Sequence, residues 1–592
     1  MKNGFIKVAA LSPAIVLTDC ETNAKLAANA LKDAAALGAD VAVFPEMYLS
    51  GATCGDLLKN RALVNSASAA LETFLELTSD IKTVCFIGYP AFVGGKTKST
   101  VAVCQSGELL DIVSNETPRL FDCMDIPGFK IGAVIGSDRD TKELLCHAGA
   151  TVVVDLCATQ ETIGSAKSVC RRACADSEAL ACAYIRANAG IGESTTDGVY
   201  SGHCVIAECG ELIAESKPFS GEALITEIDI ERINSARSDF SIDTELEQED
   251  IIFFIDEKET SLTRSYSPLP FIPTDENELD LALEIQAQAL ARRFTCTYSK
   301  KLVLGISGGL DSTLAILVAV KAAKIAGKTA HDVIGITMPC FGTTSRTRSN
   351  AEILCVELGV DFRCINIAKA VTQHLSDIGH SGDPEGVAFE NSQARERTQI
   401  LMDLANMENG LVVGTGDLSE LALGWATYNG DHMSMYSVNA DIPKTLVRRI
   451  VARYADTCEN ATLASALRDI LDTPVSPELL PAKDGEIAQK TEDLLGPYEI
   501  HDFLLYHTLK YGASPEKLFR LVKHTYGKDF SDSELISYLT TFARRFITQQ
   551  FKRSCSPDGP KVCEVGLSPR AGWHAPSDAS PAVWLREIEK LK

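Results

Sequence analysis

Apolar residues fall along this chain in short strand-like runs separated by alanine-rich stretches of helical spacing. Residues 4–10 alternate and branch like a strand, Glu21–Leu37 reads as a long helix, and Val41–Phe44 is a second buried strand that Pro45-Glu46 ends. Further strand patterns follow at Val84–Tyr89, at a hairpin-like pair (Thr100–Cys104 and Glu108–Val113), at Lys130–Ile135 and at Thr151–Leu156, before a helix from about Ser165 to Ala189. This mixture predicts a layered α/β domain. Beyond it, a helix at Glu276–Thr295 leads into strand 301–306, helix 312–324, strand Asp332–Met338, helix Arg346–Leu358 and strand Asp361–Asn366. Strict alternation of strand and helix predicts a doubly wound parallel sheet. Between the two lie an acidic patch (Asp243–Asp250), a short apolar run (Ile251–Ile255) and the prolines of Ser267-Pro-Leu-Pro-Phe-Ile-Pro273. The expected division is therefore a first domain over 1–235, a linker over 236–275, a second domain over 276–550 and a C-terminal tail over 551–592.

Composition narrows the class. A chain of 592 residues, 45% hydrophobic, has core enough for two to four domains. It has no apolar run of about 18 residues to span a bilayer, and its N-terminus enters a strand pattern rather than a signal peptide, so a cytoplasmic protein without a membrane partner is expected. The 19 cysteines are scattered singly without CxxC pairs and read as reduced core thiols. A net charge of −24 argues against nucleic acid as a partner and leaves small anions possible through local contacts.

The candidate chemistry starts at Lys301-Leu-Val-Leu-Gly-Ile-Ser-Gly-Gly-Leu-Asp-Ser-Thr313, a buried strand ending in a glycine-rich turn at a helix start. Gly305, Gly308 and Gly309 remove Cβ atoms that would hold the backbone away from a ligand, and the free N–H groups of the helix N-terminus favour an anion. An acid stands where the common phosphate loop has lysine, which implies Mg²⁺ beside the phosphate. The pattern Ser307-Gly-Gly-Leu-Asp-Ser312 resembles the pyrophosphate loop of ATP pyrophosphatases, enzymes that cleave ATP between its α and β phosphates.

In the first half, Phe44-Pro-Glu-Met-Tyr-Leu-Ser-Gly51 and Gly192-Glu-Ser-Thr-Thr-Asp-Gly198 resemble the carbon–nitrogen hydrolase (nitrilase-like) amidase domain of long bacterial NAD synthetases. That resemblance implies an αββα sandwich and a Cys nucleophile, a Glu base and an oxyanion-stabilising Lys. Glu46 matches the base. The nucleophile position falls in Ala133-Val-Ile-Gly-Ser-Asp138, where Gly136 stands for the thiol, and the segment expected to bring the lysine, Ser114–Asp122, has none. The family's glutamine-gripping Ser and basic residue align with Thr159 and Ser165. The expectation is an inactive amidase, with Cys123, Cys146 or Cys157 as the alternative nucleophile.

The second half carries Phe389-Glu-Asn-Ser-Gln-Ala-Arg-Glu-Arg-Thr-Gln399, Leu411-Val-Val-Gly-Thr-Gly-Asp-Leu-Ser-Glu-Leu-Ala-Leu-Gly-Trp425 and Ser437-Val-Asn-Ala-Asp-Ile-Pro-Lys444, which resemble the NAD synthetase family over nearly all of 276–592. The resemblance implies ATP-dependent amidation of nicotinic acid adenine dinucleotide (deamido-NAD) through an acyl-adenylate, with release of AMP and pyrophosphate. It assigns Gly305, Ile306, Ser307, Gly308, Gly309, Leu310, Asp311, Ser312, Thr415 and Lys444 to ATP, and Asn391, Glu420, Trp425 and Lys552 to deamido-NAD. Asp311 and Glu420 are the expected Mg²⁺ ligands. The stretch 476–498 and the segments Phe551–Pro560 and Leu567–Arg570 resemble the family too, with the basic residues of the tail expected to close over the site. Ammonia is the expected nitrogen donor and a homo-oligomer the expected assembly. Two alternatives stand beside this reading: a glutamine-dependent synthetase with a relocated thiol, and a non-enzymatic dinucleotide-binding assembly protein.

Overall fold

In the computed structural model, which describes residues 3–246, 249–256, 258–341, 345–381, 386–473 and 491–592, the chain forms two compact units, Met1–Ser265 and Tyr266–Lys592. The strands of the first are β1 (Phe5–Ala10), β2 (Val41–Val43), β3 (Val84–Val93), β4 (Lys96–Gln105), β5 (Glu108–Val113), β6 (Leu120–Cys123), β7 (Lys130–Ile135), β8 (Val152–Cys157), β9 (Ala183–Asn188), β10 (Val205–Glu208), β11 (Glu211–Glu215), β12 (Leu224–Asp229) and β13 (Ile251–Phe253). Its helices are α1 (Cys20–Ala36), α2 (Arg61–Leu77), α3 (Arg139–His147), α4 (Ser165–Ala179) and α5 (Ile230–Ala236). The strands make two sheets, ordered β12-β1-β2-β3-β4-β5 and β11-β10-β9-β8-β7-β6-β13.

The period of two in the strands explains the layers. Ile6, Val8, Ala10, Val41 and Val43 join Ile131, Ala133, Val152 and Val154 in a core between the sheets. Ala9, Ala42 and Phe44 turn the other way, onto the stripe Ala24, Ala27, Ala28, Leu31 and Ala34 of α1 and onto Ala67, Leu71 and Phe74 of α2. Val134 and Val153 of the second sheet pack with Leu145 of α3 and Ala173 of α4. The result is helix–sheet–sheet–helix.

One expected element is corrected. The helix expected to run to Ala189 ends at Ala179, Ala181 turns to φ +44°, and residues 183–188 form β9. Every residue of β9 is buried between β8 and β10, and that burial outweighs the alanine content which made the sequence read as helix. The run at 251–253 is strand β13, paired parallel with β6, and Thr263 hydrogen-bonds Glu227 within the same unit.

The second unit has strands β14 (Lys301–Gly305), β15 (Val333–Thr337), β16 (Asp361–Cys364), β17 (Gly410–Gly414) and β18 (Tyr436–Ser437) in the order β16-β15-β14-β17-β18, each pairing parallel. Its helices are α6 (Glu276–Cys296), α7 (Leu310–Ile325), α8 (Ser345–Leu358), α9 (Ala368–Asp377), α10 (Val387–Glu408), α11 (Leu418–Leu423), α12 (Lys444–Thr457), α13 (Ala461–Leu471), α14 (Thr491–Leu495), α15 (Tyr498–Tyr511), α16 (Pro515–Tyr526), α17 (Asp532–Thr548), α18 (Gln550–Arg553) and α19 (Ala582–Glu589). Leu302 and Leu304 face a core made with α6, α7 and α12, while Val303 and Val412 face one made with α9 and α10. From β14 the chain builds β15 and β16 on one side, then returns to place β17 on the other. The order reverses between β14 and β17, and a crevice opens there at the strand ends.

Candidate functional site

The turn after β14 delivers Ser307 to the mouth of that crevice. Gly308 adopts φ +81°, a left-handed conformation that a side chain disfavours, and Gly309 precedes α7 with no side-chain cap on the helix. The turn is tied internally, with Ser307 Oγ accepting from Gly309 N–H (3.1 Å) and Ser312 Oγ lying 3.2 Å from Ser307 Oγ. Opposite it, the turn after β17 brings Thr415 and Gly416 to α11, whose N-terminus Asp417 caps by accepting from Glu420 N–H (2.8 Å). Asn439 joins the two turns, donating from Nδ2 to the carbonyls of Asp311 (2.9 Å) and Thr415 (3.1 Å).

Charge concentrates where the turns meet. Lys444, the first residue of α12, places Nζ 2.7 Å from Asp311 Oδ2, 2.6 Å from Asp417 Oδ2 and 3.0 Å from Glu420 Oε1. Three carboxylates and one ammonium leave two negative charges unmatched when all are ionised. Burial pushes the Glu420 carboxyl up to about 7 against the pull of Lys444 and drives Asp417 well above the usual carboxylate range. Burial also works against the Lys444 charge, but Asp311, Asp417 and Glu420 more than offset it and hold the ammonium well above its ordinary pKa. Asp311 Oδ1 is buried with no hydrogen-bond partner, and the oxygens of Asp311, Asp417 and Glu420 can converge within 4.8 Å. Such an oxygen-only set suits a hard divalent cation.

The remaining synthetase-side residues gather around the turn after α11. Lys552 donates from Nζ to the carbonyls of Gly424 and Ala426 (both 2.7 Å), bracketing Trp425, while the Arg545 guanidinium lies over the Trp425 ring at 5.1 Å. Thr427 donates to Asn391 Oδ1 (2.8 Å). Beside them a pocket of about 440 Å³, its open mouth included, is lined by Thr415, Glu420, Asp431, His432, Ser556 and Pro557 among others. The tail builds part of the wall: Arg553, 1% exposed, donates to the carbonyls of Leu421, Ala422 and Phe546, and Arg570 to those of Ser556 and Pro557. Residues 476–490 of the stretch read as family-like lie outside the described residues.

In the first unit, Glu46 follows β2 and Gly136 ends β7. A Cβ built on Gly136 would stand 3.9 Å from Glu46 Oε2 and meet nothing nearer, and Gly136 adopts φ +68°. Burial, with Asp155 and Glu193 adding to it, pushes the Glu46 carboxyl up. Asn115, in the segment where the lysine is expected, exchanges hydrogen bonds with the backbone of Ile135 (2.9 Å each). Thr159 is held by Asn188 and Arg186, and Ser165 is spent on Glu161 and Thr162. Cys157 lies 3.3 Å from Ser137 Oγ, fully buried, its thiol pushed far up by burial and by Asp155. Cys123 is buried and raised as well, and Cys146 is buried in the layer between α3 and the sheet.

Residues 283–525 match the family model described as NAD synthase, and residues 7–117 the one described as carbon-nitrogen hydrolase. The glutamine-dependent NAD(+) synthetase of Mycobacterium leprae (strain TN) is 34% identical over an alignment of 668 residues that covers 99% of this chain and 98% of that protein. This chain belongs to the NAD synthetase family. The glutamine-dependent NAD(+) synthetase of Thermotoga maritima is 27% identical over 550 residues, covering 88% of this chain and 91% of its own. Among solved structures, a glutamine-dependent NAD(+) synthetase from Cytophaga hutchinsonii covers 99% of each chain at 17% identity with a TM-score of 0.43. The chain is thus an enzyme of NAD synthesis, a ligase with an amidase-like first half. Sequence reasoning did not single out Asp417, Asn439 or the pocket residues Asp431, His432, Ser556 and Pro557. Asp417 had a readable signal, an acid at a helix start three residues before Glu420. The others meet only through the fold.

Proposed function

We propose that this enzyme amidates deamido-NAD at the crevice between β14 and β17, takes ammonia directly, and carries an amidase half without glutaminase activity. The reading is supported by the pair of pockets: one keeps a converging set of charged groups, and in the other Gly136, on which a Cβ would stand 3.9 Å from Glu46 Oε2, occupies the position where the resemblance expects the nucleophile. The glycine turn and the uncapped N-terminus of α7 suit the β and γ phosphates of ATP. The pocket beside Trp425, Asn391 and Lys552 suits the dinucleotide, with its pyridine carboxylate directed at the α-phosphate. Carboxylate attack there yields an acyl-adenylate and pyrophosphate; ammonia then adds to the acyl carbon, AMP leaves, and the ammonia nitrogen sheds its extra proton. The residues fit Mg²⁺, since Asp311 Oδ1 is a buried orphan oxygen and the three carboxylates, once ionised, would carry two more negative charges than Lys444 balances; Asp311, Asp417 and Glu420 would hold it. When bound, the ion neutralises charge developing on the phosphates. Lys444 holds the three carboxylates together and adds a point charge near the phosphates.

A second reading, glutamine-dependent synthesis through another thiol, is favoured by the names of the relatives, which are called glutamine-dependent. One experiment separates them. Purified enzyme with ATP, Mg²⁺ and deamido-NAD is given ammonium or glutamine, with AMP and ADP resolved. Full turnover on ammonium, AMP as product and only background on glutamine are expected. Comparable rates with glutamine overturn the donor assignment, and ADP overturns the adenylation.

A further inference from the structure

A second cluster of metal-binding side chains sits in the amidase-like unit and plays no part in the chemistry above. Cys170 projects from α4, His203 lies just before β10, and Glu215 ends β11. Cys170 Sγ is 2.9 Å from Glu215 Oε2 and His203 Nε2 is 3.4 Å from the same oxygen, and one donor atom from each residue lies within 4.8 Å of the other two. Tetrahedral zinc with sulfur at about 2.3 Å and nitrogen at about 2.0 Å needs ligand atoms roughly 3–4 Å apart. The three elements therefore already present donors near that spacing.

The cluster is built rather than incidental. His203 is 2% exposed, its carbonyl accepts from Arg186 (3.1 Å), and its N–H lies 3.3 Å from Ser201 Oγ. Cys170 is 9% exposed, while the Glu215 side chain is half exposed and opens the fourth direction to water. Thiol, imidazole and carboxylate are a mixed set that magnesium and calcium disfavour and borderline-soft zinc accepts. We propose that Cys170, His203 and Glu215 form a zinc site that ties α4 to the β10–β11 hairpin.

Binding replaces a proton. In the metal-free protein the Cys170 thiol donates to the Glu215 carboxylate, and burial with that carboxylate pushes the thiol up to about 12. Zinc takes the thiolate, a neutral imidazole nitrogen and a carboxylate oxygen, and the thiol proton leaves to solvent, one for each ion bound. Through Arg186, which also holds Thr159, the site is coupled to the strand ends of the relic amidase pocket.

The test uses the full-length enzyme, stripped with a chelator and titrated with Co²⁺, then Zn²⁺. One equivalent of cobalt should give a thiolate-to-cobalt charge-transfer absorption that zinc bleaches. The carboxylates around Lys444 offer oxygen alone and give no such band. C170S should abolish the band, H203Q should weaken binding by about 10–100-fold, and zinc should raise the thermal midpoint of the wild type but not of C170S. A missing band in the wild type, or a band that persists in C170S, overturns the site. H203Q tests the imidazole separately: affinity equal to wild type removes that ligand and with it the proposal.

Discussion

The two pockets of this enzyme hold comparable numbers of carboxylates and treat them differently. Around Lys444, three acids converge on one ammonium, and the surplus of negative charge matches a divalent ion. Around Gly136, Glu46 stands near Asp155 and Glu193, and the segment expected to supply a lysine instead offers Asn115, hydrogen-bonded to Ile135. The first arrangement raises the carboxyls of Asp417 and Glu420, and a bound cation would favour their ionised forms. The second solvates its acids with neutral donors, Asp155 accepting from Ser137 and Tyr184 and Glu193 from Ala52 and Thr53. Packing and catalysis draw on different residues, so the frame of a fold does not by itself fix the chemistry of its pocket.

The largest effect that bears on this contrast is expected from Asp311→Asn, which removes one of the charges proposed to hold Mg²⁺ while keeping shape. Turnover on ammonium should fall by about three orders of magnitude with the thermal midpoint little changed. Turnover within tenfold of wild type would place Asp311 outside the reacting centre. Next comes Lys444→Met, which leaves buried carboxylates without their cation and should cost about 3 kcal/mol or more of stability, read from thermal unfolding. Unchanged stability would mean that the acids are neutral at rest.

Asp502 sharpens the comparison through pH. Burial pushes its carboxyl from 3.8 up to about 6, although Ser419, Thr445 and Lys444 pull the other way. Between those values the folded protein keeps a proton that the unfolded chain has released, so this group's contribution to stability falls as pH rises from 3.8 to 6 and is level above. His501 works oppositely, because burial lowers it to about 4 and the unfolded chain takes up a proton below 6.5. Asp502→Asn should therefore lose about 1–2 kcal/mol more, relative to wild type, at pH 4.5 than at pH 7. A pH-independent difference would contradict the buried, protonated state. The smallest effect is expected at Gly136. Gly136→Ala should cost about 1 kcal/mol for its left-handed backbone and leave ammonium-driven turnover unchanged. Gly136→Cys should react with an alkylating reagent yet yield no glutamine hydrolysis beyond that of the wild type; a gain of hydrolysis in that variant would show that the pocket lacks a thiol alone.

Much of this architecture is legible in the sequence. The synthetase strands are short but apolar and alternate strictly with helices, so β14, β15 and β16 lie within two residues of their expected ends. The amidase half is harder to read, because β9 is alanine-rich and β12 pairs with β1 from the other end of the unit. Site residues inside motifs can be named from the sequence, as with Asp311 and Glu420. Their partners cannot: nothing local says that Lys444 would hold three acids, that Asn439 would clasp two turns, or that Cys170, His203 and Glu215 would meet.

The buried guanidinium of Arg553 carries a consequence for where this gene can be shortened. The family match ends at residue 525, which invites a stop codon soon after it. Such a product would strip the Arg553 donors from the carbonyls of Leu421 and Ala422 at the end of α11, the helix that carries Glu420, and, by removing α17, bare the faces of α11, α15 and α16 that α17 covers. Protein cut there would reach inclusion bodies rather than the assay tube. Residues 551–592 are thus tied to the wall of the second unit's pocket through Arg553 and Arg570, although they add no strand to its sheet.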